Sequence, residues 1–164
     1  MNIKSWLYRI TILCALSLGA SVSQAQPADS GLERWVGEWE LNLKRSTYGA
    51  NPPQSDTRRF TLQDGMLFSE WNVVNAAGNK STVRYSTRAD GKDYPVTGSR
   101  NYDAVAMTRV SNDSRRFSFK SKGKLVQSGY VFMSADGKSW VGMTERFDDN
   151  GVSSGVSLLV FDKK

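Results

Sequence analysis

Past its first 25 residues the chain is a series of strand-sized runs in which apolar and polar residues alternate, broken every 8–14 positions by Asp-Gly, Asn-Gly or Asn-Asp pairs. A period of two is that of a strand with one buried face, and those pairs tolerate the backbone of tight hairpin turns. No segment between them carries a helical period. Each run is therefore expected to pair with its neighbours, and consecutive hairpins close most simply into a barrel. The expected fold is all-β, an antiparallel up-and-down β-barrel of about eight to nine strands.

Nine runs carry this pattern: Val36–Lys44, Arg58–Gln63, Met66–Val74, Ser81–Arg88, Ala104–Ser111, Arg115–Lys120, Leu125–Met133, Trp140–Phe147 and Ser153–Phe161. Ser30-Gly31-Leu32-Glu33-Arg34, ahead of the first, suits one helical turn. Asp90–Gly98, with its Asp-Gly pair and Pro95, reads as a bridge between the fourth and fifth runs. No linker or low-complexity tract divides the chain, so residues 26–164 are expected to form one domain.

Residues 1–25 read as a signal peptide. Lys4 and Arg9 precede an apolar stretch from Ile10 to Val22, and Ser23-Gln24-Ala25 offers small residues for cleavage after Ala25. The stretch is shorter than the roughly 20 residues a membrane helix needs, so no stable membrane insertion is expected. The expected location is periplasmic or secreted. Cys14 lies inside this segment, leaving the remainder without cysteine, and the chain has no histidine. That composition disfavours the common zinc, copper and haem sites, and it removes His-dependent triads; no metal and no cofactor are expected. Loss of Lys4 and Arg9 lowers the formal charge of +6 by two. The remaining basic residues are scattered, with Arg58-Arg59 and Arg115-Arg116 reading as solvated, so no nucleic acid is expected as a partner.

The candidate site follows from assigning faces to strands. In Trp140–Phe147, Met143 shares a face with Val141, Phe147 and Glu145; in Ala104–Ser111, Met107 shares one with Val105 and Arg109. An inward charge must be paired, so Glu145 and Arg109 either neutralise each other or meet a polar ligand group, unless the register is opposite or the charges sit in water at a rim. Tyr85, beside Val83, and Tyr130, beside Phe132, are candidates to bring a hydroxyl inside, with plain core packing as the alternative. The expected ligand-binding set is thus Tyr85, Met107, Arg109, Tyr130, Met143 and Glu145.

Trp35-Val36-Gly37-Glu38-Trp39, a short helical turn running into Gly-x-Trp, resembles the opening of lipocalins and their calycin relatives. The stretches GEWELNLKRSTY, DGKDYPVTG and SADGKSWVGMTERFDDNG are similar to a group of small secreted bacterial lipocalin-like proteins, mostly uncharacterised. The resemblance implies a calycin barrel whose floor is closed by Trp39, after Gly37, against a later basic side chain. Arg146 is the expected cation. It further implies a small hydrophobic or amphipathic ligand in the barrel, and it carries no catalytic residues. Two other functions suit such a chain. One is a cofactor-free lyase, isomerase or hydratase acting on an apolar or phenolic substrate, with Glu145 as acid or base, Arg109 stabilising an anion and Tyr85 or Tyr130 polarising the substrate. The other is a secreted inhibitor or interaction module, whose protein partner would receive residues 26–34 or the loop at 48–54.

Overall fold

A computed structural model describes residues 31–48 and 51–164. The expected signal peptide, residues 1–25, lies outside the described residues. A 3-10 turn at Glu33–Trp35 leads into ten strands: β1 (Gly37–Leu41), β2 (Ser55–Gln63), β3 (Met66–Val74), β4 (Lys80–Thr87), β5 (Asp90–Thr97), β6 (Ala104–Arg109), β7 (Ser114–Ser121), β8 (Lys124–Met133), β9 (Ser139–Phe147) and β10 (Ser153–Lys163). Each pairs antiparallel with its successor, and β1 pairs with both β2 and β10, closing the barrel. Closure leaves no unpaired sheet edge.

The tenth strand is β5, the segment expected to be a bridge. Asp90-Gly91 and Pro95 do carry turn chemistry, and the segment pays for it in regularity: its register with β6 shifts between Asp90 and Asp93, and it meets β4 only through Arg84–Thr97 and Tyr85–Val96. Proline is tolerated where a ladder is already short, because its missing N–H leaves few bonds to interrupt. Gly98 then turns the chain with φ of +77°, and a side chain there would run into the carbonyl oxygen of Thr82.

One end of the barrel is covered by the 3-10 turn. Leu32 and Trp35 are buried from that turn, beside Trp39 of β1, whose Nε1 donates to the Trp35 carbonyl at 3.0 Å. Trp35 and Trp39 each meet Trp140 of β9, with ring centres 6.2 and 6.4 Å apart. Trp140 stacks on Phe161 of β10 at 4.1 Å and 10°. The cation beside Trp39 is Lys163, its Nζ 5.2 Å from the ring centre, and not the expected Arg146. Lys163 pairs with Trp39 across the β1–β10 ladder, whereas Arg146 stands toward the other end of β9. Gly37 lies where Lys163 crosses: a Cβ there would sit 2.9 Å from the lysine Cε, and φ is +136°.

Candidate functional site

The faces of β8 and β9 are the reverse of those expected. Trp140, Gly142 and Thr144 point inward, which puts Met143 and Glu145 on the outside, Met143 being 41% exposed. Both faces of this strand hold apolar residues, so alternation alone does not orient it. The inward face is the one whose large ring, Trp140, finds Phe161 to stack on, while Gly142 and Thr144 leave room beside it. Tyr130 follows Met143: the two pair across β8–β9, and Tyr130 stacks on Phe132 on the outer surface. Arg109 ends β6 in solvent and hydrogen-bonds to Asn112. It and Glu145 lie toward opposite ends of the barrel, so the anticipated pairing of these charges does not form. Of the six expected ligand-binding residues, Tyr85 and Met107 reach the interior.

There they help line a cavity of about 50 Å³. Trp35, Trp71, Phe119 and Trp140 supply much of its wall, and Arg58 projects into the same space from β2. Since roughly 10–15 Å³ on this measure holds one water molecule, and an apolar cavity of about 150 Å³ takes benzene, the space suits a compact occupant.

Arg58 is the centre of the arrangement. Strand alternation carries Asp56, Arg58 and Phe60 to one face, and that face is inward. The guanidinium donates to both oxygens of Asp56, Nη2 to Oδ2 at 2.8 Å and Nε to Oδ1 at 3.2 Å. Its carbon stands 3.9 Å from the centre of the Trp71 ring, 4.3 Å from Phe161 and 5.3 Å from Trp140. Side-chain exposure is 12% for Arg58 and 8% for Asp56, so neither charge is shared with bulk water. Burial alone would lower the Arg58 pKa; the Asp56 charge and its hydrogen bonds outweigh that, and the net shift is upward. The guanidinium is therefore a permanent cation held between aromatic faces.

Three phenols surround this pair. Burial pushes Tyr85 up to about 12, with Arg58 pulling the other way. Tyr48 is also raised to about 12, by burial first and then by the charge of Asp56, and burial raises Tyr102. All three stay protonated at neutral pH and can offer hydroxyl hydrogens, but none can act as a base.

The indoles add a further asymmetry. Among the described residues Trp39 alone of the tryptophans has its Nε1 bonded; those of Trp35, Trp71 and Trp140 are buried without an acceptor. A buried donor left unmade costs about 1–3 kcal/mol. All three residues line the cavity. At the covered end Arg115 is enclosed as well, donating to the carbonyls of Gly31, Ser111 and Ser114.

Sequence reasoning missed Arg58, Asp56, Trp35 and Trp140 as site residues. Arg58-Arg59 read as a solvated pair, yet the signal was present in Asp56-x-Arg58-x-Phe60: opposite charges two apart on the same strand face as a large apolar residue. No group of three or more metal-ligating side chains occurs among the described residues. No family model matches the chain, and neither does any curated protein.

Proposed function

We propose that the protein is an exported, lipocalin-like binding protein that holds a small molecule inside its barrel, in the periplasm or the surrounding medium. The observation that carries this reading is the cavity inside the barrel, walled by Trp35, Trp71, Phe119 and Trp140 together with Arg58, which is held in turn by Asp56. Binding sites are typically apolar and aromatic hollows with a few fixed polar groups, and this interior has that composition. The resemblance of Gly37-Glu38-Trp39 and its flanking turn to the lipocalin opening supports the family, and the leader-like residues 1–25 support export. The size of the cavity narrows the ligand from the hydrophobic or amphipathic molecules first expected to compact ones.

Catalysis is favoured less. The acid or base expected for it, Glu145, stands on the outer face, away from the cavity that Tyr85 lines. The buried carboxylate, Asp56, is held by both oxygens on Arg58.

Native mass spectrometry of the protein purified from its own source tests the proposal. A co-purifying small mass that is lost on unfolding is the expected result. A bare polypeptide mass, together with unchanged tryptophan emission on titration with compact polar and apolar compounds, would overturn it.

A further inference from the structure

We infer that the barrel receives its ligand at the end away from the 3-10 turn, where Arg146 holds the anionic head group, a carboxylate or phosphate, of a compact amphipathic molecule; the inference rests on the ligand-binding reading above. The 3-10 turn lies beside the β8–β9 turn, Arg34 donating to the carbonyls of Ser134 and Ala135. Connections in an up-and-down barrel alternate between its ends, so those of β1–β2, β5–β6 and β9–β10 meet at the other one. Tyr48, Tyr102 and Arg146 come from these three connections or the strand end beside them.

Arg146 belongs to the inner face of β9. It continues the alternation of Trp140, Gly142 and Thr144, and it pairs across the ladder with Gln127. Gln127 and Thr144 both line the cavity, so Arg146 stands one step beyond its wall. Phe119 pairs with Gln127 from the other side and packs against Tyr102, ring centres 4.4 Å apart. Tyr48 is brought in by Thr47, which exchanges backbone hydrogen bonds of 2.8 and 3.0 Å with Leu158 of β10. Tyr48 and Arg146 therefore flank β10 from its two sides. Neighbouring strands lie about 4.8 Å apart, so two spacings, about 10 Å, separate their backbones, a gap that two long side chains converging on one head group can span.

Charge selects the head group. Arg58 is neutralised by Asp56, whereas the Arg146 guanidinium is exposed and is bonded to no acceptor among the described residues. Its acidic neighbours in sequence are otherwise placed: Glu145 points to the outer face, and Asp148 accepts the amides of Asn150 and Val152 within its own turn. Burial raises the Tyr48 and Tyr102 phenols, and the positive charges of Arg58 and Arg146 pull both down, so Arg146 acts on the same space as the two rings. Tyr48, protonated at neutral pH, adds a hydroxyl donor. A guanidinium presents paired N–H groups that match two oxygens of a carboxylate or phosphate, and an amine would be repelled. The apolar remainder then faces Phe119 and the cavity behind it, whose volume of about 50 Å³ admits only a short stem.

Calorimetric titration of the folded protein with sodium butyrate and butyl phosphate, and with butyramide as the neutral counterpart, tests this. At least one of the two anions is expected to bind at least tenfold more tightly than butyramide, and which of them does so tells carboxylate from phosphate. Arg146→Gln is expected to weaken that anion at least tenfold. Arg59→Gln, which removes an exposed cation from the outer face of β2, controls for net charge and is expected to leave the anion within twofold. Both arginines are exposed, so both variants are expected to melt as the parent does. An anion that binds the parent and Arg146→Gln equally, or no more tightly than butyramide, would overturn the inference and leave the ligand-binding reading in place. Binding of none of the three compounds would overturn both.

Discussion

Asp56 and Arg58 stand two residues apart on one strand and form a bidentate ion pair inside the barrel, the guanidinium against the face of Trp71. Such a pair is stable as a pair and costly when halved. Asp56→Ala leaves the Arg58 charge enclosed by rings, and a loss of about 3–5 kcal/mol is expected in urea unfolding. Replacing both, as Asp56→Leu with Arg58→Met, is expected to recover most of that loss. A single Asp56→Ala variant as stable as the parent would show that water reaches the guanidinium.

Trp39 is fully buried, and its neighbour Lys163 is exposed. Trp39→Ala is expected to cost about 3–5 kcal/mol, against a typical total of about 5–15 kcal/mol, and so to lower the melting temperature sharply. Lys163→Met removes only a cation over an aromatic face at an exposed site, worth about 0.5–1 kcal/mol. Equal effects from the two would contradict the covered end described above.

The buried phenols make the fold sensitive to alkali. Tyr85 has a folded pKa of about 12 against 10 for a free phenol, so the folded state retains a proton that the unfolded state gives up. Stability is therefore full below pH 10 and falls as the pH rises from 10 toward 12, with Tyr48 adding to the slope. Denaturant unfolding across that interval should show the decline, and Tyr85→Phe should flatten it. A parent protein with level stability through this interval would place Tyr85 in contact with solvent.

Glu145 gives the contrasting case. Lying outside, it is expected to tolerate Glu145→Gln within about 0.5 kcal/mol in stability, with ligand binding unchanged. Loss of binding in that variant, measured by the same calorimetry, would return this carboxylate to the site.

Gly98 combines φ of +77° with a would-be Cβ 1.9 Å from the Thr82 carbonyl oxygen. Gly98→Ala cannot be relieved by a side-chain movement, so the short β4–β5 ladder must yield. Faster amide hydrogen exchange at the paired Arg84 and Thr97 is the expected signature, with the distant β8–β9 ladder unaffected.

The barrel was legible in the alternation and the turn pairs because both act locally: a period of two makes a strand, and Asp64-Gly65 or Asn150-Gly151 reverses it whatever the rest of the chain does. Even β5 escaped notice for a local reason, since Asp90-Gly91 and Pro95 announce a turn and only pairing with β6 makes the segment a strand. Which face looks inward was another matter. In β9 the sets Trp140, Gly142, Thr144 and Val141, Met143, Glu145 are separated by one residue of register, and their own composition leaves the choice open. The stack of Trp140 on Phe161 decides it, a contact between strands that neither run contains by itself. The same holds for Arg58. Its neighbour Asp56 is visible in the sequence, but a guanidinium enters a barrel only when the carboxylate and the faces of Trp71 and Phe161, from three different strands, are already assembled to receive its charge. Local backbone preference thus determined the meander, while the burial of rings and charges, which depends on closure, determined the site.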